Sequence, residues 1–356
     1  MNRPSTTPLP FLRACFATPA RAVVSLIIMA GGAYAAIPFL NWAFLDAAWS
    51  GSTGADCEGK GACWIFIGMR FEQIIYGSYP ADLRWRVDLA ALLAVAGAGL
   101  SWATPARTGK IAATALFFAV YTVTAAILLH GGILGLQPVP TRLWGGLMLT
   151  AIIAAWTIAT AVPLGLLLAL ARRSRLPLIS MLAAVFVDTV RSLPLVGILF
   201  LAIVMFPFFM PPGVETDRLI RALAAFTLFN AANLAEVFRG GLQVVPQGQS
   251  EAGLALGLSQ RQVTWKIVVP QAVFLSLPGV VNVCIAIVKE TTIVLIVGLL
   301  DFLGVLQAGL SDPQWIAAEQ ARTTAYLFAA IVFWIVCFGL STYSLRLEAR
   351  MSPSHR

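Results

Sequence analysis

Apolar runs about as long as a lipid bilayer is thick recur along this chain, and few charges interrupt them. A helix needs roughly 20 such residues to cross the hydrocarbon core. Backbone in lipid must satisfy its own hydrogen bonds, so each run reads as a helix. Only 11% of the 356 residues are charged and 59% are hydrophobic, with a mean hydropathy of +0.84. Soluble domains carry about 25% charged residues. The expected class is therefore all-α and polytopic, with membrane lipid as solvent. The net charge of +8 does not indicate nucleic acid, because the basic residues sit scattered at the ends of the runs.

The order of runs predicts about eight transmembrane helices, near 22–45, 87–104, 111–133, 142–171, 178–206, 218–239, 272–299 and 323–345. Residues 46–86 read as a polar loop followed by an interfacial, partly helical segment. Arg172, Arg173 and Arg175, with the basic tail, pin those ends to the cytoplasm. Both termini then lie inside, while Arg84 and Arg86 fall outside, against the charge bias. No internal repeat is visible, so an inverted-repeat secondary transporter gains no support.

Between the sixth and seventh runs lies a polar-punctuated insert, Glu251 to Pro270, flanked by Arg239, Arg261 and Lys266. Pro246 stops what precedes it. Ser250 is the expected N-cap, with Glu251 in the first turn facing the positive helix end. Gly257 suits the left-handed residue that closes a helix. Ser259 and Gln262 match a capping box that starts a second helix. Pro270 ends that helix or begins the next. Leu254 and Leu258, four apart, would form an apolar ridge, and on an exposed loop such a ridge wants a groove.

The insert resembles the EAA loop of bacterial ABC importer permeases, whose pattern is E-A-A, three residues, G, nine residues, I-x-L-P. Here Glu251-Ala252-Gly253, Gly257 and Ile267-Val268-Val269-Pro270 take those places, with Gly253 for Ala and Val269 for Leu. From about Pro140 onward the chain is similar to polar amino acid permeases, above all in AEVFRGGLQVVPQGQSEAGLALGLS, DTVRSLPLVGILF and IVKETTIVLIVGLLDFLG. The first three runs and the DC…GACW loop look like the extension of the general L-amino-acid permease type.

The resemblance implies a type I importer core of five helices at 140–346, containing a cytoplasmic loop at 246–270. An extension at 1–139 and a tail at 347–356 flank it. It implies an inner-membrane transport subunit rather than an enzyme. Its partners would be a cytoplasmic ATPase dimer, a second and related permease, and a periplasmic amino-acid-binding protein. ATP and magnesium would be used by the ATPase, with no cofactor in this chain. Glu251, Ala252, Gly253, Leu254, Gly257, Leu258 and Arg261 would form the ATPase contact.

Ionisable groups inside spans mark pathways or pairs. Asp188 and Arg191 share a helical face and can pair with each other. Such a pair either fixes helix packing or serves the inner gate. Lys289 and Glu290 point about 100° apart. They complement the two charges of an amino acid, or they pack between helices. Asn230, Asn233 and Glu236 form a polar stripe, which is either interhelical glue or a pathway lining. Thr291 and Thr292 read as bonded back to their own helix. Cys57 and Cys63 can form a disulfide if their loop is periplasmic. Two histidines are too few for a metal centre, and no G-x-x-x-x-G-K-[ST] loop occurs. The alternatives are a permease for another small solute, a secondary transporter, or a membrane enzyme that lacks a recognisable catalytic pair.

Overall fold

The computed structural model describes residues 15–103, 108–133 and 135–351. Among these residues there are helices and isolated bridges, but no strand. Helix α1 (Pro19–Leu40) starts at Thr18, whose hydroxyl accepts from the Arg21 N–H, and ends in a π turn at Asn41–Leu45. None of its side chains is buried within the protein. Leu26, Ile27, Ile28 and Met29 face outward together, as an all-round apolar helix does in lipid.

The chain divides into two compact units. One joins the described residues up to Arg70 to Gly309–Leu327. Its links are the Cys57–Cys63 disulfide, a bond from the Gly54 N–H to the Gln314 carbonyl, and one from the Cys63 N–H to the Thr324 hydroxyl at 2.7 Å. Phe66 meets Trp315 edge-on at 5.3 Å, and Arg70 pairs with Asp312. The segment read as interfacial contains a regular helix, α2 (Trp64–Tyr76).

The other unit joins Phe71–Ala308 to the described residues from Phe328 onward. It therefore takes in residues that the sequence reading assigned to an extension ending at 139. The reason is local packing. Helices α3 (Trp85–Ala103) and α4 (Thr108–His130) pair, and α4 packs on α5 (Gly146–Arg172). Tyr79 donates to the Leu129 carbonyl and Arg86 to that of Gln137, both at 2.8 Å. Arg84 pairs with Glu72. Both arginines that ran against the charge bias are thus engaged.

Small residues let the central helices meet closely. Helix α5 offers Ala161, Gly165 and Ala169 at four-residue spacing to Ala231 and Ala235 of α8 (Arg218–Val244). A Cβ on Gly165 would stand 2.6 Å from that of Leu234. Gly241 of α8 touches Ser276 and Ala272 of α11 (Val269–Glu290) in the same way. Close backbone approach through small side chains is how helices gain packing energy in lipid, where apolar burial contributes little.

The run at 178–206 is not a straight span. It forms α6 (Pro177–Ser192) and α7 (Leu195–Phe200), and the latter continues irregularly to Phe209. The two parts meet at 103°. Pro194 offers no N–H, and it holds Leu193 in an extended conformation (φ −94°, ψ 142°).

By length and composition four described helices can cross a membrane, or five if the bent pair counts as one. The eightfold expectation is thus matched only in part by that measure. Helices α3, α4 and α8 occupy the other three positions, and α8 carries Asn230, Asn233, Glu236 and Arg239.

Candidate functional site

The insert is a helical hairpin. Helix α9 (Gln247–Ala255) starts after Pro246, so Ser250 lies inside it rather than capping it. Proline fits this boundary because the first turn needs no N–H partner. The Gly257 N–H bonds to the Leu254 carbonyl and the Leu258 N–H to that of Gly253, at 2.9 and 3.2 Å. With Gly257 at φ +80°, this is a Schellman closure. Ser259 and Gln262 then exchange the two bonds of a capping box.

From α10 (Gln260–Val263) the chain passes through a π turn at Thr264–Val268 and straight into α11. Pro270 lies in the first turn of α11. The wider turn bonds the Val269 N–H to the Thr264 carbonyl, just before a residue that has no N–H to give. So the hairpin's second arm and the membrane helix are one continuous rod.

The Schellman turn changes which leucines are presented. It breaks the helical phase after Leu256, so Leu258 folds inward and packs half-buried beneath the hairpin. The expected Leu254–Leu258 ridge does not form. Leu254 is 44% exposed and Leu256 is 82% exposed, and they supply the apolar surface instead. Leu256 was missed in the sequence, although a residue just before a C′ glycine is a helix C-cap and projects. Glu251, Ala252, Gly257 and Arg261 are exposed beside it. Gly253 is buried, and a Cβ there would stand 2.8 Å from Ile267 and 2.9 Å from Val263. The lack of a side chain seats the two arms together.

A second cluster lies where α5, α6 and α8 meet. Glu236 accepts from Arg239 through Nε at 2.9 Å and Nη2 at 2.7 Å, and from Arg172 Nη1. Arg191 approaches it to 3.8 Å. Asp188 pairs with Arg172 at 3.2 Å. The expected Asp188–Arg191 pair is thus replaced. Their helix lies against two others, and each charge finds a nearer partner there. Arg172 and Arg239 belong to the site; the sequence reads them only as basic residues marking the cytoplasmic side. Arg173 donates to the Leu242 carbonyl at 3.0 Å, tying the end of α5 to α8 near the hairpin.

The polar stripe of α8 divides between two environments. Asn230 is buried and donates to the Phe226 carbonyl of its own helix at 3.1 Å. Glu290 Oε2 is buried without a partner. Asn233 is half-buried, and Glu236 belongs to the arginine cluster. Lys289 is exposed. Thr291 and Thr292 bond back to Val288 and Lys289, both at 2.9 Å. Cys57 and Cys63 are joined, with Cα atoms 5.5 Å apart. No group of three or more metal-ligating side chains occurs among the described residues.

Known proteins resemble this chain. An inner membrane amino-acid ABC transporter permease protein, YhdY of Escherichia coli (strain K12), is 46% identical over 317 residues, 88% of this chain and 85% of its own. A glutamate/glutamine/aspartate/asparagine transport system permease protein, BztC of Rhodobacter capsulatus, is 31% identical over 90% of this chain and 88% of its own. A crystal structure of an amino acid ABC transporter with histidines aligns with a TM-score of 0.51 at 25% identity, covering 58% of this chain and 92% of that one. Residues 161–353 match the model of a family described as the binding-protein-dependent transport system inner membrane component. The match takes in the hairpin and the arginine–carboxylate cluster, and the chain belongs to this family.

Proposed function

We propose that this chain is the permease subunit of an ATP-driven importer that carries amino acids, polar or general, into the cytoplasm. It is a multi-pass inner-membrane transport subunit, not an enzyme; hydrolysis belongs to a separate ATPase. ATP and magnesium act on that partner, and this chain needs no cofactor. The relatives' names support the solute class. A second, related permease and a periplasmic binding protein complete the assembly.

The observation that carries the reading is the hairpin. It shows two bare leucines beside a carboxylate and an arginine, and one of its arms is the start of a membrane helix. Exposed apolar residues on a rigid, capped corner fit a groove on a partner. In this reading the ATPase dimer closes and draws the hairpin inward. The π turn passes the motion to α11 without a hinge. Gly253 packed on Val263 and Ile267 keeps both arms moving together. The arginine–carboxylate cluster holds α6 to α5 and α8 at the same end, where it acts as the inner gate. Both termini and the hairpin lie in the cytoplasm, supported by Arg172, Arg173, Arg175, Arg261 and Lys266 around the hairpin.

Glu251→Lys tests the reading. Membrane insertion should persist while ATP-coupled uptake is lost. Unchanged uptake removes the hairpin from the coupling path and favours a secondary transporter.

A further inference from the structure

A cavity of about 400 Å³ opens at the start of α5 and α8, the end away from the hairpin. Arg142, Arg218 and Arg221 line it, with one carboxylate, Asp217. In the orientation proposed above this mouth faces outward. Unpaired cations are scarce on that side of membrane proteins, so these arginines need a reason.

Local structure does not supply one. Asp217 Oδ1 caps α8 by accepting from the Leu219 and Ile220 N–H groups, at 2.7 and 3.1 Å, and its other oxygen accepts from Thr141. Among the described residues no carboxylate forms an ion pair with Arg142 or Arg218. Arg221 donates to the Ile203 carbonyl at 2.6 Å, yet its Nε is buried without a partner. The Nε1–H of Trp144, in the same lining, is buried and unpartnered too. Arg142 and Arg218 are exposed at the cavity, the Arg218 guanidinium 3.2 Å from where a Cβ on Gly298 would stand. Gly298 sits at φ +80° and leaves that room.

A cavity of this size suits a small solute. Buried donors without acceptors, here Arg221 Nε and Trp144 Nε1, are costly, and a carboxylate satisfies several donors at once while the exposed guanidinium groups of Arg142 and Arg218 stand beside it. We propose, resting on the importer reading, that this cavity is an entry subsite that takes the carboxylates of an acidic amino acid before it moves inward. Arg142 and Arg218 are its specificity-determining residues. Two guanidinium forks match two carboxylates, and the lining, three cations against one anion, disfavours a cationic side chain.

The test uses the complete importer, with its binding protein, in proteoliposomes holding ATP. Initial uptake of L-glutamate, L-glutamine and L-lysine is compared between wild type and Arg142→Gln/Arg218→Gln. Glutamate uptake should fall about tenfold relative to glutamine, since one lost charged hydrogen bond is worth at least that factor. The lysine rate should not fall. Arg142→Lys/Arg218→Lys should lie between, keeping the charge without the fork.

An equal loss for all three solutes would assign the arginines to docking of the binding protein and overturn the subsite. So would an unchanged ratio, or an importer that carries glutamine and not glutamate. A second readout is independent of transport. In nanodiscs, L-glutamate should raise the thermal midpoint of the full chain, and L-glutamine should raise it less. That difference should vanish in the Gln variant; its absence in wild type overturns the site. Should the wild-type importer carry no amino acid at all, the functional reading fails, while the thermal shift still decides the cavity.

Discussion

Replacing Glu236 by Gln removes the charge on which three helices converge while keeping its shape. The carboxylate side chain is 17% exposed and accepts from Arg239 twice and from Arg172, with Arg191 at 3.8 Å. Arg239 and Arg191 are 37% and 42% exposed, so water replaces much of what they lose. Their share is that of surface pairs, at most about 1 kcal/mol. Arg172 is 18% exposed and keeps Asp188, but it loses its shorter bond. A hydrogen bond to a charged group is worth about 1.5–3 kcal/mol. The expected destabilisation is therefore about 2–3 kcal/mol. Unfolding of the full chain in mixed micelles of rising SDS fraction, followed by tryptophan fluorescence, measures it. A cycle with Arg172→Met isolates the pair, and the coupling should exceed about 1 kcal/mol. A change or a coupling below about 0.5 kcal/mol, the usual scatter of additive sites, would refute the claim that this cluster holds the helices. Salt at 1 M should weaken the effect without abolishing it, because the central carboxylate is mostly shielded.

Three further outcomes follow from the geometry. Leu256→Asp should abolish ATPase-coupled uptake with little change in folding, whereas Leu258→Asp should lower the yield of folded protein; uptake and expression measured side by side separate them. Cys57→Ser/Cys63→Ser opens a seven-residue loop and should cost about 2 kcal/mol by the loop-entropy estimate, read as a lower thermal midpoint that reductant also produces in wild type. Asp301, outside the membrane helices, is fully buried, and burial pushes its carboxyl up from 3.8 to about 6 against the Gly304 N–H bond. An acid with a raised folded pKa favours the fold while protonated. Its contribution is present below about pH 4 and lost as pH rises through about 6. Asp301→Asn should thus raise the thermal midpoint at pH 7.5 and flatten its pH dependence between 4 and 7.

Much of the hairpin was legible from residue order, because caps and closures are local. Ser259 with Gln262 and Gly257 at positive φ need only three to five neighbouring residues to define them. The start of α9 was misplaced for the same local reason. Ser250 is a good cap, but Pro246 begins the helix earlier and leaves Ser250 inside it. The leucine ridge failed because i,i+4 reasoning holds only within one helix, and the Schellman turn ends α9 between the two leucines. Asp188 and Arg191 share a helix, yet each found its partner on another one. No helix spacing rule reports contacts with another helix, 16 residues away for Asp188 and farther for Arg191.

The residues alone determined the class of molecule. Long apolar runs can only be membrane helices, since backbone groups in lipid must bond within their own segment. They also determined the capped hairpin and the basic residues around it. Only the tertiary structure decided which leucines face out, how the arginines share Glu236, and that 178–206 breaks at 103°. It alone showed that the described residues of 71–139 pack with the core, and that three arginines line one cavity. The sharing of Glu236 and the lining of the cavity depend on residues of separate helices meeting in space. Packing of that kind is set by helices far apart in the chain, so it leaves no local mark.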